Sequence, residues 1–195
     1  YGNIPCSALI GLSTTFARFL REFQPKYIAA AFDSGKTFRN DLFPDYKQQR
    51  DKPDDELCAQ FQYAPKILQS MGCLCLQQRG YEADDLMASL SDKILSDSPD
   101  KNIIHVSFDK DMLQLINSRV SIMNPQTRKI WTEKEVIEKF GVPPEKLCDL
   151  FAFIGDSADN IPGVKGIGPK TAAALIKHFH SIDKIYEMVE NSSKS

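Results

Sequence analysis

Long apolar runs, paired cysteines and histidines are all scarce in this chain, and each scarcity removes a class of protein. No stretch approaches the ~18 uninterrupted apolar residues of a membrane span. The longest runs, such as Tyr27 to Phe32, have the length of buried strands, so we expect no membrane partner. The five cysteines (Cys6, Cys58, Cys73, Cys75 and Cys148) are odd in number and form no CxxC pair, which argues against a disulfide framework and a structural zinc site. They read as reduced core thiols. Histidine is confined to His105, His178 and His180, which suits a metal site built from carboxylates without a histidine ligand. No GxxxxGK[ST] segment is present, which weighs against a phosphotransferase acting on a small molecule. Tyr1 to Pro5 has neither a basic nor an apolar leader-like region, but a processed chain would have shed one, so compartment stays open.

What is present is an ordinary globular composition. The 195 residues are 42% hydrophobic and 26% charged, enough for one sizeable core and a small second lobe. The balance of 24 Lys+Arg against 26 Asp+Glu gives a net charge of −2, whereas nucleic-acid-binding domains are usually basic. That objection weakens if the acids are gathered in one metal site. Bound cations then cancel them, and the rest of the surface is left net positive.

Ser7 to Phe23 carries Leu9, Leu12, Phe16, Phe19 and Leu20 at helical spacing and ends before Pro25, which predicts an amphipathic helix. Tyr27 to Phe32 reads as a buried strand ending at Asp33. Gly35 to Pro53 is polar and basic with interleaved aromatics, too rich in charge for core. Asp54 and Asp55 start a helix reaching about Ser70, Cys73 to Leu76 is a second strand, and Gly80 to Asp85 opens a helix from Leu86 to about Leu95. Ile103 to Ser107 is the clearest strand, and it runs into Asp109, Lys110, Asp111 and a short helix. This alternation predicts an α/β fold with a mainly parallel sheet flanked by helices, whose binding sites lie beyond the carboxyl ends of the strands. After Trp131 the pattern is helical (Thr132 to Phe140, Pro144 to Phe153, Pro169 to Phe179, Ile182 to Val189). We place a helical subdomain from about residue 141, with no long linker or repeat.

Four segments supply carboxylates: Asp33; Glu82, Asp84 and Asp85; Asp109 and Asp111; Asp156 and Asp159. Each follows an apolar segment or opens a helix. A single acid such as Asp84 reads more simply as a helix cap. Together, eight carboxylates would repel strongly without counter-charge, and hard cations such as Mg²⁺ or Mn²⁺ prefer oxygen ligands. Two ions suit that number better than one, and a pair ~4 Å apart can activate a water and stabilise a leaving oxygen.

Gly163-Val164-Lys165-Gly166-Ile167-Gly168-Pro169-Lys170-Thr171 lies between two helical segments. Gly163, Gly166 and Gly168 allow tight turns and close backbone approach, Pro169 suits a first helical turn, and free N–H groups there can meet a phosphate with Lys165, Lys170 and Thr171 beside them. An ordinary helix-helix turn is the plainer alternative. Thr37-Phe38-Arg39 and Tyr46-Lys47-Gln48-Gln49-Arg50 set cations beside aromatics, as a strand-guiding element would, with Arg39 and Tyr46 as DNA contacts. Because this segment follows Asp33, Lys47 and Arg50 are candidates to neutralise a scissile phosphate.

These motifs, in order, resemble the 5′-nuclease domain of DNA polymerase I and its flap-endonuclease relatives. The shared residues are Phe32-Asp33, Thr37-Phe38-Arg39, Tyr46-Lys47-x-x-Arg50, Gly80 to Asp85, Asp109 to Asp111 with Gln114-Leu115, Gly155 to Gly163, and Gly166 to Lys170. The resemblance implies a PIN-like nuclease domain over residues 1–140, an arch or clamp at about 36–55, and a helix-hairpin-helix DNA-binding subdomain over 141–195. It implies a 5′-3′ exonuclease or flap endonuclease of DNA replication and repair, monomeric, acting on DNA with a free 5′ end (flap, nick, branch) and on RNA primers. Glu82, Asp84, Asp109 and Asp111 would serve mainly a first metal, and Asp85, Asp156 and Asp159 mainly a second, with Asp33 at the inner edge. The hairpin of such proteins also suits K⁺. The family pattern begins with a strand ending in an Asp-Gly pair, which would precede Tyr1, so we expect a longer natural protein. The competing reading is a non-catalytic module that binds DNA structure through the glycine hairpin.

Overall fold

Seventeen residues of helix open the fold because their apolar positions fall on one face. The computed structural model describes residues 5–192; Tyr1 to Ile4 and Ser193 to Ser195 lie outside the described residues. Helix α1 (Ser7–Phe23) buries Phe16 and ends at Gln24, whose left-handed backbone (φ 42°) returns its N–H to Leu20 O at 3.1 Å. Cys6 offers no cap at its start. The carboxamide of buried Gln60 accepts the N–H groups of Ala8 (3.0 Å) and Leu9 (3.4 Å) instead.

The chain divides into two compact units, residues 1–44 with 50–90 and residues 45–49 with 91–195. In the first, β1 (Ala29–Phe32) runs parallel to β2 (Leu74–Gln77), with Ala29 opposite Leu74 and Phe32 opposite Gln77. Beneath them Phe16, Leu68 and Cys73 are buried with Leu12, Leu20, Ile28, Ala30, Phe32, Met71 and Cys75 around them. A five-residue helix α2 (Phe38–Leu42) follows a Thr37–Asn40 capping box. The single helix expected from Asp55 to Ser70 is two, α3 (Asp55–Phe61) and α4 (Ala64–Ser70). Pro65 explains the break: its ring would clash with the carbonyl of Phe61 in a continuous helix, and it can only occupy a first turn. Helix α5 (Ala83–Asp97) begins in this unit.

The second unit is a three-stranded sheet with helices. Strand β3 (Ile103–Val106) lies parallel to β4 (Val120–Met123), which pairs antiparallel with β5 (Ile130–Trp131). The sequence pattern assigns no strand to β4 or β5. A 3₁₀ turn at Asp111–Leu115 connects β3 onward, then come α6 (Glu133–Phe140), α7 (Leu147–Ile154), α8 (Pro169–Phe179) and α9 (Ile182–Ser192). Its core is Met112, Leu113, Ile122, Met123, Val136, Val142, Leu147, Leu150, Ala172 and Ile176, all buried. Helix α6 starts with a Thr132–Glu135 capping box and stops at Gly141 (φ 74°).

The cysteines correct one expectation. Only Cys73 is buried; Cys75 is half-buried, while Cys6, Cys58 and Cys148 face solvent. All five are free. Burial, with Cys75 beside it, pushes the Cys73 thiol up to about 11, so it is an inert core group. No helix among the described residues is long and apolar enough to cross a membrane.

Candidate metal centre

Two sets of acids emerge, one in each unit. In the first, the carboxylates are engaged by the protein itself. Asp33, at the end of β1, accepts the Ala83 N–H at 2.7 Å through Oδ1 and so satisfies a donor at the start of α5. Asp85, in the first turn of α5, receives both guanidinium nitrogens of Arg39 (2.7 and 2.8 Å) and the Glu82 N–H (2.9 Å). Asp33 and Asp85 thus each accept a backbone N–H near the start of α5, and Arg39, expected as a DNA contact, forks onto the Asp85 carboxylate. Asp84 shares the first turn of α5 with Asp85, and Glu82 lies just ahead of it. Lys36 pairs with Asp41.

In the second unit the acids are turned on one another. Beyond the carboxyl end of β3, Asp109 receives the Asp111 N–H at 2.8 Å, which folds the segment back and aims Asp111 inward. One carboxylate oxygen from each of Asp111, Asp156 and Asp159 lies within 4.8 Å of the others. Asp109 stays outside this trio as its hydrogen-bonded neighbour. Asp111 Oδ1 is buried and accepts no hydrogen bond, a costly state for a charged oxygen. Burial, then the charges of Asp109, Asp156 and Asp159, push the Asp111 carboxyl from 3.8 up to about 6, against the pull of Lys110.

The loop carrying Asp156 and Asp159 is clamped at its base. Asp156 and Ile161 exchange backbone hydrogen bonds at 2.8 Å in both directions. Gly155 (φ 75°) leaves no room for a Cβ, which would sit 2.6 Å from Ile161 O and 2.8 Å from Pro162 C. A Cβ on Gly163 would sit 2.7 Å from Gly155 N, so the two glycines let the backbone strands cross closely. Gly163, read as a DNA contact, therefore has a structural duty here. Gly155 carries the same duty, signalled in the sequence only by its place before Asp156.

Residues 45–49 hold this loop from the side. Tyr46 is buried, 7% exposed, and donates its hydroxyl to Asp159 Oδ2 at 3.1 Å. Tyr46 and Thr37 are thus buried members of a stretch whose charge suggested only surface. Lys47 lies 3.7 Å from the same oxygen, and its N–H donates to Asp159 O at 3.1 Å. Gln49 donates to Ser157 O at 2.8 Å, and Asn160 donates to Asp45 O at 2.8 Å. Lys110, which sequence reasoning passed over, lies 3.2 Å from Asp156 Oδ2. Arg50 is exposed in the first unit.

After Gly163 the hairpin turns on Gly166 (φ 86°), and α8 begins with Gly168 as N-cap and Pro169 in its first turn. Ala172, Ala173 and Ile176 are buried, leaving Lys165, Lys170 and Thr171 exposed. Among the described residues Lys165 and Lys170 form no ion pair.

The donor set fits a hard divalent cation: three carboxylates, an unpartnered buried oxygen, and neither thiolate nor imidazole among the converging ligands. An all-oxygen cluster beyond a parallel strand, with a glycine hairpin between the helices that follow, defines an α/β protein with the donors a divalent cation requires. Two family models extend that definition: the 5′-3′ exonuclease N-terminal resolvase-like domain matches residues 2–141, and the 5′-3′ exonuclease C-terminal SAM fold matches residues 142–195. The chain belongs to the 5′-3′ exonuclease family. A 5′-3′ exonuclease of Aquifex aeolicus (strain VF5) is 39% identical over 184 residues, covering 94% of this chain and 63% of that protein. The chain thus spans a little under two thirds of this relative. Among solved structures, T5 5′-exonuclease with divalent zinc ions bound superposes with a TM-score of 0.78 at 26% identity, over 91% of this chain and 69% of that one. The bacteriophage T5 flap endonuclease in a pseudo-enzyme-product complex with DNA and metal ions gives 0.77 at 26% identity, over 90% of this chain and 68% of that one.

Proposed function

We propose that this chain carries the chemistry of a 5′-3′ exonuclease and flap endonuclease that hydrolyses DNA phosphodiester bonds with two divalent cations, Mg²⁺ or Mn²⁺, in replication and repair. One observation carries the reading: Asp111, Asp156 and Asp159 bring carboxylate oxygens within 4.8 Å of one another, and one Asp111 oxygen is buried with no protein donor. The match to the exonuclease family models over nearly the whole chain supports it.

Asp109, Asp111, Asp156 and Asp159 serve as ligands in one unit, and Asp33, Glu82, Asp84 and Asp85 are assigned to ion binding in the other. Asp33 and Asp85, already accepting internal hydrogen bonds, act through intervening water. When bound, the cations supply an activated water and stabilise the leaving oxygen. Tyr46 and Lys47 hold Asp159 in place, and the Lys47 ammonium beside it neutralises phosphate charge, a role we extend to Arg50. Lys165, Lys170, Thr171 and the first N–H groups of α8 grip a backbone, with K⁺ at the turn. Residues 36–55 guide the 5′ strand and residues 141–195 hold the duplex. The substrates are flaps, nicks, branches and RNA primers, and the protein acts as a monomer.

The test is a gel assay on flap, nicked and blunt DNA in Mg²⁺ and Mn²⁺, run on the protein in its natural form. Alanine at both Asp109 and Asp111 should abolish cleavage while DNA binding stays measurable. Undiminished cleavage by that variant would reject the assigned chemistry, and binding without cleavage by the natural protein would favour the DNA-binding-module reading.

A further inference from the structure

The second unit carries a strip of cations laid on aromatic rings that the site described above does not use. At its far end the Lys129 ammonium sits 3.8 Å from the Trp131 ring centroid. Lys139, on α6, places its ammonium 4.9 Å from the same ring and 5.0 Å from that of Phe140. Phe140 meets Phe151 edge-on, with centroids 5.6 Å apart. The Lys110 ammonium lies 5.3 Å from the Phe151 ring and 3.2 Å from Asp156 Oδ2. Lysines and rings thus stand in contact, with the Phe140–Phe151 pair in the middle, from the β4–β5 turn to the edge of the acidic cluster.

Three features separate this strip from an ordinary solvated surface. Two ammonium groups share one indole, so their positions are fixed by a ring rather than left to free rotation. Lys129 and Lys139 are exposed, and among the described residues neither forms an ion pair, whereas the neighbouring Lys134 is paired with Glu138. The strip also ends on a carboxylate of the candidate metal centre, where a reacting phosphate would lie.

Resting on the nuclease reading above, we propose that Lys129, Trp131, Lys139, Phe140, Phe151 and Lys110 form a second backbone-binding track for DNA, distinct from the glycine hairpin, leading to the acidic cluster. Lysines held on aromatic faces meet successive phosphates at little ordering cost. The partner is therefore a regularly charged polyanion, and its contacts carry no base specificity.

Trp131 is the sole tryptophan of the chain, so its emission reports on this strip alone. The experiment titrates the full chain with a labelled 5′-flap DNA in Ca²⁺, with gels confirming intact DNA, reading DNA anisotropy and tryptophan emission together across a salt series. DNA should change Trp131 emission in step with anisotropy. The Lys129→Ala, Lys139→Ala pair should weaken binding roughly tenfold and lower the salt slope by about 1.5, since each lost phosphate contact removes about 0.7–0.9. The matching Lys→Arg pair should restore both. Binding seen by anisotropy with unchanged emission and an unchanged slope in the alanine pair would overturn the track and leave the nuclease reading standing. Equal emission changes with polyglutamate at matched charge would assign the strip to acidic proteins and also overturn it. Failure of the parent chain to bind DNA at all would remove the nuclease reading and the track together.

Discussion

The two acidic sets of this protein differ in how their charge is balanced. Around Asp33 and Asp85 the protein supplies the balance itself, through the Ala83 and Glu82 N–H groups and the forked guanidinium of Arg39. Around Asp111, Asp156 and Asp159 it does so only in part: the carboxylates crowd one another, one Asp111 oxygen is buried without a donor, and the Asp111 carboxyl is pushed to about 6. Lys47 and Lys110 offset part of this charge from the rim. The lesson is that counting acids does not find a metal centre. What marks one is acids held together against their own repulsion, because only those gain by taking up a cation.

The sharpest way to break the comparison is to remove the backbone that enforces the crowding. Gly155→Ala places a Cβ against Ile161 and Pro162 in a left-handed backbone, and should cost about 3 kcal/mol as a thermal or urea unfolding shift. An alanine tolerated there with no loss would mean that the crossing at Gly155 does not hold Asp156 and Asp159 in place. Next in size, Asp85→Asn should cost about 1–2 kcal/mol in the absence of divalent ions, because the Arg39 fork and the Glu82 N–H lose a charged acceptor that is only partly screened by solvent.

The smallest effect has the opposite sign. Asp111→Asn should raise the stability of the ion-free protein at pH 7 by about 1 kcal/mol, since it removes a charge that the fold disfavours. The folded carboxyl titrates near 6, above its ordinary 3.8, so the folded parent gains protons that the unfolded chain does not yet take up. The advantage of the variant should therefore be full above about pH 6 and fade as pH falls toward 4. His105 contributes with the reverse sign. Burial lowers its pKa, so the folded state loses stability as pH falls through the ordinary imidazole range. Comparing parent with Asp111→Asn cancels the His105 contribution, because both proteins share it. A stability gap that stays constant from pH 7 to 4 would show that Asp111 is not held at a cost.

Much of this arrangement is legible in the sequence where local pattern governs. Apolar spacing and Pro25 give α1 its limits, β1 and β3 follow from apolar runs leading to acids, β2 follows from the run Cys73 to Leu76, and Pro169 with Gly168 marks the start of α8. The glycine hairpin is likewise local. Strands β4 and β5 are less visible: the first is a four-residue strand whose parallel partner lies well before it in the chain, with no tight-turn signal to announce the pairing. The split between α3 and α4 turns on one proline inside an otherwise helical run. What the sequence withholds altogether is tertiary. The same residue type is a helix cap at Asp33, a salt-bridge partner at Asp85 and a member of a converging acidic cluster at Asp159, and nothing in the spacing of the acids separates these fates. Tyr46 sits among lysines and glutamines yet is buried, because its hydroxyl finds Asp159 more than a hundred residues away.

The most direct test of the crowded set is calorimetric titration of the full chain with Mn²⁺ at pH 7.5, beside Asp111→Asn and Asp85→Asn. The account predicts that the parent binds, that Asp111→Asn weakens binding at least tenfold, and that Asp85→Asn leaves the same step largely intact. Parent affinity should also fall about tenfold per pH unit below about 6, as proton and cation compete for Asp111. Binding of Mn²⁺ unchanged by Asp111→Asn would contradict the claim that these carboxylates are gathered for a cation.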